Sequence, residues 1–168
     1  MPADGLAGAR DRGRPLGPGR ASRNGETVTP EDEGFLRRAI ELAARSRASG
    51  DAPYGSLLVG PDGEVLAEDH NTVTSDRDIS AHPELKLARW AARELDPATV
   101  AATTMYTSCQ PCTMCYGAIQ RSGLGRVVFA LATDQLNGLK PGGDWPQVPQ
   151  EGPALYDEAR VPVEGFYH

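Results

Sequence analysis

The sequence has few cysteines, no long apolar run and no apolar segment at its start. Its three cysteines all lie within residues 109–115. Because that number is odd and the set is tightly clustered, it is a poor framework for disulfides and is more typical of a metal or redox site. The longest uncharged stretch, residues 97–120, is long enough to cross a bilayer, but its prolines, threonines and glutamines make it too polar to do so. We therefore expect a cytoplasmic protein with no signal sequence and no membrane partner.

Basic residues are also in the minority. There are 17 lysines and arginines and 23 acidic residues, which gives a net charge of −6 and an isoelectric point near 5.1. Surfaces that bind nucleic acid need clustered lysine and arginine, so the composition argues against a nucleic-acid partner. With 39% apolar and 24% charged residues, the 168-residue chain is in the globular range and is long enough for one domain with a real core.

The start of the chain differs in composition from the rest. Residues 1–29 are rich in glycine, proline and alanine, and they carry five arginines against three acidic residues, so the remaining chain has a net charge of −8. We interpret residues 1–28 as a disordered leader, with a basic arm for nucleic acid as the alternative. Residues 29–168 then form a single domain.

Hydrophobic periodicity and turn signals predict the order helix, hairpin, helix, strand, helix, strand. The first helix begins at Thr29-Pro30 and ends at Gly50, because threonine is a good N-cap, proline suits the first turn and glycine suits a helix end. Strands that alternate with helices indicate an α/β sandwich with a mixed sheet and helices on both faces. We predict loops over residues 70–81 and from Thr133 to the last helix. The other predicted elements are strands at 54–59, 64–68, 103–108 and 126–133, and helices at 83–95, 112–120 and 154–160.

The residues that indicate chemistry are His82 and the pair Cys112 and Cys115. Zinc prefers four tetrahedral ligands and accepts histidine nitrogen and cysteine thiolate. Two cysteines separated by two residues can bind one ion together, and both would lie at a helix N-terminus, where the helix dipole favours thiolate. His82 would begin another helix, with Pro83 in its first turn. One histidine and two cysteines leave the fourth position of a zinc ion open, as a catalytic site requires.

Glu84 stands two residues after His82. At the start of a helix, this spacing can direct a carboxylate toward the open metal position without making it a ligand. Zinc lowers the pKa of bound water toward about 7, and a nearby carboxylate can take that proton and deliver it elsewhere. The combination suits hydrolysis of an amidine-like C–NH2 group with release of ammonia.

Other interpretations of these residues are open. His82 could cap a helix, and Glu84 could be a solvated acid of its first turn. Cys112 and Cys115 could form a redox pair, since a C-x-x-C sequence after a strand also occurs in thioredoxin-like proteins. With Cys109 the run becomes C-x-x-C-x-x-C, which resembles an iron–sulfur motif that lacks its fourth cysteine. Cys109 could instead be a packed thiol at the end of a strand.

The motifs H-x-E and P-C-x-x-C occur here in the order found in the zinc-dependent cytidine-deaminase superfamily, which the sequence resembles over residues 30–133. Residues 107–119, TSCQPCTMCYGAI, are similar to the branch that contains guanine deaminases and tRNA adenosine deaminases. The resemblance implies a three-layer α/β/α sandwich with a mixed central β-sheet, Zn2+ as the cofactor and Glu84 as the proton shuttle. Pro83 replaces the usual alanine and Gln110 the usual glutamate. Neither change removes a ligand, and both touch the walls of the site.

The same resemblance suggests residues that bind the substrate. Asn71 matches an asparagine that binds the base or the sugar, and Ser56 lies in the Tyr54-Gly55-Ser56 step that can form the floor under a flat ring. Family members often close the pocket with C-terminal residues, so residues 134–168 are expected to form a loop and tail that close it here. The candidates for stacking on the ring are Trp145, Phe166, Tyr167 and His168. The candidates for recognising ring N–H or amino groups are Asp144 and Glu164.

The resemblance implies a zinc-dependent hydrolytic deaminase that acts on a small amino-bearing heterocycle, either a free nucleobase or a nucleoside. Guanine-type rings come first because of the similarity of the cysteine motif, and cytosine and cytidine come next. One alternative is a tRNA adenosine deaminase, against which the acidic composition argues. The other is a non-catalytic zinc module, which would have no use for Glu84. Relatives form dimers or tetramers, so a homodimer is expected.

Overall fold

The computed structural model describes residues 28–140 and 146–166. They fall into two compact units, one that ends at Ala132 and one that begins at Thr133. The predicted leader lies outside the described part of the chain up to residue 27. Four candidate substrate contacts lie outside it as well: Asp144, Trp145, Tyr167 and His168.

The first unit combines one β-sheet with several helices. Its strands are β1 (Gly55–Val59), β2 (Val65–His70), β3 (Thr104–Cys109) and β4 (Arg126–Leu131). Its helices are α1 (Pro30–Ala48), α2 (Val73–Asp76), α3 (Pro83–Glu94), α4 (Pro97–Ala102) and α5 (Thr113–Ser122). The second unit contains α6 (Thr133–Leu139) and α7 (Tyr156–Arg160). Within the described residues, no helix is both long and apolar enough to cross a membrane.

The sheet is mixed, as the sequence predicts. Its strand order is β2-β1-β3-β4. β1 runs antiparallel to both β2 and β3, whereas β3 and β4 are parallel. The predicted hairpin between β1 and β2 is confirmed, and its turn is closed by a hydrogen bond from the N–H of Gly63 to the carbonyl of Gly60. β3 and β4 are joined through α5, as a parallel pair requires a crossover connection.

Helices cover both faces of this sheet. Because successive residues of a strand point to opposite faces, Leu57 and Leu58 of β1 enter different cores. Leu57 packs in a cluster with Leu36 of α1. Leu58 packs in a cluster with Leu87 of α3 and Ile119 of α5. The three-layer α/β/α sandwich is therefore confirmed.

The first helix begins where the sequence predicts. The Thr29 side chain accepts a hydrogen bond from the backbone N–H of Asp32, and the Asp32 carboxylate accepts one from the backbone N–H of Thr29. This capping box satisfies N–H groups that have no partner inside the helix. Just beyond the other end, Gly50 adopts a left-handed conformation with a φ angle of 89°, which glycine tolerates without steric cost.

Three short helices lie where the sequence analysis predicts a loop or assigns no element. α2 falls in the loop predicted over residues 70–81, and α6 replaces the start of the loop predicted after Thr133, so both predictions are wrong over these stretches. α2 has four residues and α6 has seven, which is too short for a hydrophobic period to show. α4 does carry a local signal, the N-cap Asp96 followed by Pro97, but it has only six residues. β4 ends at Leu131, two residues earlier than predicted.

Candidate metal and catalytic site

Two helix N-termini meet beyond the carboxyl end of β3. His82 is the N-cap of α3 and Cys112 is the N-cap of α5, and both have extended backbone conformations. Pro83 occupies the first turn of α3, where a missing N–H group costs no helical hydrogen bond. α3 and α5 share one core cluster with Leu58 and Met105 on the same face of the sheet. Because both helices cover this face, their first turns come together.

The ligand atoms of His82, Cys112 and Cys115 lie within 4.8 Å of one another. The Nδ1 atom of His82 is 3.8 Å from the Sγ atom of Cys112 and 3.5 Å from the Sγ atom of Cys115. Tetrahedral zinc, with a Zn–S bond of about 2.3 Å and a Zn–N bond of about 2.0 Å, places nitrogen and sulfur roughly 3.5 Å apart. The three residues therefore fit a zinc ion closely. Cys109, among the described residues, does not belong to this cluster.

Hydrogen bonds among these residues favour the thiolate form of Cys112. Its pKa is lowered to about 3, first by the hydrogen bond from the Cys115 thiol and then by the one from His82. The pKa of His82 is raised, chiefly by its hydrogen bond to Cys112. The pKa of Cys115 is raised because this thiol donates to Cys112 and because it is buried. A metal cation opposes that effect, since a thiol that coordinates a metal is deprotonated.

Glu84 lies in the first turn of α3 and is only 5% exposed. Its Oε2 atom is 3.9 Å from the Sγ atom of Cys115, and its Oε1 atom accepts a 3.4 Å hydrogen bond from Thr107. Burial raises the pKa of this carboxyl group above its ordinary value. A carboxyl group with a raised pKa beside a metal site is suited to take up and release protons.

The hydrogen-bond partner of Glu84 is a residue that sequence reasoning missed. Thr107 on β3 is fully buried, and its hydroxyl also accepts a 2.8 Å hydrogen bond from the hydroxyl of Ser56 on β1. Ser56, predicted to contact the substrate, is itself fully buried. The two residues are opposite each other in the antiparallel register of β1 and β3. The sequence shows only that each of the two buried strands contains a hydroxyl residue. The register of β1 against β3 is needed to identify Ser56 and Thr107 as partners.

Asn71 follows β2 directly and is only 1% exposed. Its side-chain oxygen accepts a 3.1 Å hydrogen bond from the N–H of Val73, and its backbone N–H donates to the carbonyl of Tyr54. Its side-chain nitrogen has no such partner among the described residues. Since no buried side-chain nitrogen or oxygen of these residues lacks a partner, the Asn71 nitrogen is not a fully buried atom. The structure thus leaves one donor available at this position.

The other predicted contacts have varied surroundings. Phe166 belongs to the second unit. Gly55 faces the backbone of α1, because a Cβ atom there would lie 2.5 Å from a carbonyl oxygen of that helix. Of the two departures from the family pattern, Pro83 is buried in the first turn of α3, and the backbone N–H of Gln110 donates to the carbonyl of Leu131 at the end of β4.

Residues 29–131 match a family described as the cytidine and deoxycytidylate deaminase zinc-binding region. The chain is 31% identical over 159 residues to a probable cytosine deaminase of Schizosaccharomyces pombe, which is 83% of this chain and 94% of that protein. It is 41% identical over 88 residues to a guanine deaminase of Bacillus subtilis, or 52% of this chain and 56% of that protein. It is 36% identical over 107 residues to a tRNA-specific adenosine deaminase of Haemophilus influenzae, or 64% of this chain and 61% of that protein.

The fold leads to the same group of proteins. The X-ray structure of guanine deaminase from Bacillus subtilis is similar with a TM-score of 0.64 and 28% identity, over 78% of this chain and 90% of that one. The matched family segment contains Glu84 and all three residues of the metal cluster. Zinc is therefore the cofactor that this site is arranged to hold, and the enzyme is a zinc-dependent deaminase. The chain belongs to the family of zinc-binding cytidine and deoxycytidylate deaminases.

Proposed function

We propose that this protein removes the amino group of a free nucleobase or nucleoside by hydrolysis, with guanine-type rings first and cytosine or cytidine next. In this proposal His82, Cys112 and Cys115 hold the zinc ion, and Glu84 moves protons. The observation that carries it is the buried carboxyl group of Glu84, 3.9 Å from one of the cysteines of a three-residue metal site. A zinc site that only stabilised the fold would use a fourth protein ligand and would not need this acid.

The chemistry follows from the position of Glu84. Zinc at this site supplies a Lewis acid that activates water for attack on the ring carbon that bears the amino group. Glu84 takes one proton from the attacking water and passes it to a ring nitrogen. It then takes the remaining proton from the hydroxyl group that has added to the ring carbon and gives it to the amine, so that the C=O bond forms, the C–N bond breaks and ammonia departs. Its raised pKa supports this role, because the carboxyl group can hold a proton between the two transfers. The hydrogen bond from Thr107 to Oε1 leaves Oε2 on the side of the cysteines.

Other residues are proposed to bind the substrate. The open side-chain nitrogen of Asn71 suits a hydrogen-bond acceptor on the base or the sugar. We assign Ser56 an indirect part, since its hydroxyl meets Thr107 inside the fold. The closing of the pocket by residues 134–168 stays a prediction. According to this prediction, the side chains that stack on the base are those of Trp145, Phe166 and Tyr167.

The substrate order rests on the relatives. Guanine-type rings come first because the fold matches guanine deaminase of Bacillus subtilis over 90% of that chain, and because the segment matched to this enzyme is 41% identical. Cytosine-type rings come next because the similarity to the probable cytosine deaminase of Schizosaccharomyces pombe extends over 94% of that protein.

The second candidate function is tRNA adenosine deamination. It is favoured by the 36% identity to the tRNA-specific adenosine deaminase of Haemophilus influenzae. The net charge of −8 after residue 29 argues against it, because binding an RNA loop calls for a basic groove. Gel-shift binding of tRNA at physiological salt, together with inosine formation, would reverse our order of preference.

A glutamine at position 84 tests the proposed mechanism. Ammonia release is measured with a panel of amino-bearing bases, nucleosides, pterins and triazines, and zinc content by elemental analysis. Glu84→Gln should lower ammonia release about 100-fold or more and keep its zinc, because the side chain keeps its shape but cannot transfer the proton. Glu94→Gln, at the exposed far end of the same helix, is the control and should keep both properties. Unchanged activity in Glu84→Gln, or a wild-type protein without zinc, would contradict the proposal.

A homodimer is also proposed, from the assembly of relatives. Light scattering of the zinc-loaded protein at several concentrations measures its mass. A strict monomer at all of them would contradict this proposal and would leave the deaminase chemistry unaffected.

A further inference from the structure

The segment between β2 and α3 carries a proposed site residue at each end. Asn71 is its first residue, and His82 is its last. The two ends are tied together, since the N–H of Thr72 donates a 3.1 Å hydrogen bond to the carbonyl of Ala81. A displacement of this segment would therefore move both the open donor of Asn71 and a ligand of the metal site.

An aspartate from a different part of the chain holds the middle of this segment. Asp51 lies in the turn between α1 and β1 and is only 6% exposed. Its Oδ1 atom accepts hydrogen bonds from the backbone N–H of Thr74 at 2.7 Å and of Ser75 at 3.0 Å. Its Oδ2 atom accepts a hydrogen bond from the Ser75 hydroxyl. These bonds hold the pKa of Asp51 below its usual range, so the carboxylate is charged and its hydrogen bonds are of the strong, charge-assisted kind.

Asp51 supplies a cap that α2 lacks. The side chain of the residue before this helix, Thr72, accepts no hydrogen bond from its first backbone N–H groups. A helix of four residues leaves its first N–H groups without partners inside the helix, and an isolated turn of this length is not stable. The carboxylate of Asp51 satisfies two of these groups from outside, so the conformation of the segment depends on it.

Neighbours of Asp51 hold the start of the same segment. The hydroxyl of Ser46, at the end of α1, lies 2.8 Å from the carbonyl oxygen of Asn71 and 2.7 Å from that of Ala52. The N–H of Asn71 donates a 2.9 Å hydrogen bond to the carbonyl of Tyr54. The turn that contains Asp51 is thus bound to the segment at its first residue and again at α2.

We propose that Asp51 is a positioning residue for this enzyme, which fixes Asn71 toward the substrate and His82 toward the metal by clamping the segment between them. The inference rests on the roles given to Asn71 and His82 in the proposed function. Among the described residues, Asp51 makes no hydrogen bond to the metal ligands, and its carboxylate accepts hydrogen bonds from Thr74 and Ser75.

The same chain offers a matched control. Asp96 caps α4 with the same set of bonds, because it accepts from the N–H groups of Ala98 and Thr99 and from the Thr99 hydroxyl. α4 lies between α3 and β3 and carries none of the proposed site residues. Replacing Asp96 removes an equivalent cap without reaching the segment that ends at His82.

The test compares Asp51→Ala and Asp96→Ala in three measurements on the full chain. These are the melting temperature, the affinity for zinc alone in competition with a chelator, and kcat and KM with guanine and cytosine. We expect both variants to melt at lower temperature. Only Asp51→Ala should bind zinc about tenfold more weakly and lose about 10- to 100-fold in kcat/KM, as is usual when a group that orients ligands is removed. Asp51→Glu, which keeps the carboxylate, should recover part of both losses.

Each outcome bears on the proposal in a defined way. If Asp51→Ala matches Asp96→Ala in zinc affinity and in kcat/KM, Asp51 only stabilises the fold and the proposal is wrong. If Asp51→Ala does not fold, Ser75→Ala replaces it, since that change removes one of the three bonds and should show the same losses in smaller measure. If the wild-type protein binds zinc but deaminates neither base, the proposed substrates fail, and zinc affinity alone still decides the role of Asp51.

Discussion

Buried hydroxyl groups hold Glu84 in a defined orientation. The hydrogen bonds run from Ser56 to Thr107 and from Thr107 to Glu84, and all three side chains are buried. A buried polar group that loses its partner keeps its desolvation cost, so such a chain of bonds favours one arrangement over others. Thr107 is therefore expected to matter for catalysis although it has no chemistry of its own.

Replacing Thr107 with valine tests this orientation, because the change keeps the shape and removes the hydroxyl. We expect kcat to fall about tenfold as Glu84 loses its partner. We also expect the free energy of unfolding to fall by about 1–3 kcal/mol, because the hydroxyl of Ser56 is left buried and unpaired. Steady-state kinetics and urea unfolding measure the two effects.

Thr103→Val is the matched control for this variant. Thr103 is also fully buried, and its hydroxyl donates to the carbonyl of Thr99 in α4. This control should lose stability and keep kcat. Adding Ser56→Ala to Thr107→Val should restore part of the stability but not kcat. Equal kcat values in Thr107→Val and Thr103→Val would show that the hydroxyl does not orient Glu84.

At the scale of elements, α1 packs directly against the backbone of β1 at Gly55. At Gly55, an added Cβ atom would lie 2.5 Å from the carbonyl oxygen of Ala39 and 2.5 Å from the Cβ atom of Leu42. Such distances leave no room for any side chain. Ser46, in the last turn of the same helix, donates a hydrogen bond to the carbonyl of Asn71, so the position of α1 on the sheet also affects the site.

Gly55→Ala should therefore destabilise the protein. We expect the free energy of unfolding to fall by about 1–3 kcal/mol, because the helix must move away from the strand. Gly34→Ala is the control. Gly34 lies in α1, and a Cβ atom added there meets nothing within 4 Å. It should stabilise the protein by about 0.5–1 kcal/mol, since alanine is the better helix former. Urea unfolding followed by circular dichroism measures the free energy of unfolding of both variants. If Gly55→Ala is as stable as wild type, α1 can move away from β1 without cost.

For the whole first unit, one buried carboxylate ties a helix to two strands. Asp32 of α1 accepts hydrogen bonds from Arg126 of β4 at 2.7 and 3.0 Å and from the hydroxyl of Tyr106 of β3 at 2.7 Å. Arg126 holds the pKa of Asp32 well below its usual range. Burial and the bond to Asp32 raise the pKa of Tyr106 to about 12, so this hydroxyl remains a donor in acid and neutral solution.

This arrangement predicts how stability changes with pH. A carboxyl group whose pKa is lower in the folded state stabilises the fold above its unfolded pKa of about 3.9, and the contribution is lost as the pH falls toward the folded value. We expect wild type to be more stable than Asp32→Asn at pH 7, and the difference to shrink between about pH 5 and about pH 2. Urea unfolding of both proteins across this range measures it.

Glu33→Gln controls for general effects of acid, because Glu33 is exposed in the same helix turn and pairs only with Arg37 in the described structure. The free energy of unfolding of Glu33→Gln should change with pH in the same way as that of wild type. Acid also releases bound metal, which lowers the stability of wild type and variants alike. This effect cancels when the free energies of unfolding are subtracted from one another at the same pH. A constant difference between wild type and Asp32→Asn at every pH would contradict the assignment of the lowered pKa to Asp32.

The sequence by itself determined the elements around the site and the metal motif. Each of these patterns is local: a cap and a proline start a helix, apolar residues at helical spacing continue it, and Pro-Cys-x-x-Cys places Cys112 and Cys115 in one helical turn. His82 and Glu84 are likewise set by the first turn of α3. Since the interactions that produce these features join residues close in sequence, they can be recognised without the fold.

Only the tertiary structure decided what supports those residues. Ser56 and Thr107 are 51 positions apart, Asp32 and Arg126 are 94 apart, and Asp51 reaches α2 across 23 positions. No spacing in the sequence encodes such pairs, because they depend on the register of β1 against β3 and on how α1 packs against the sheet. The helix α2 was missed because its four residues are too few for a hydrophobic period to show, and because two of its first N–H groups are satisfied by the distant Asp51, which leaves no local pattern.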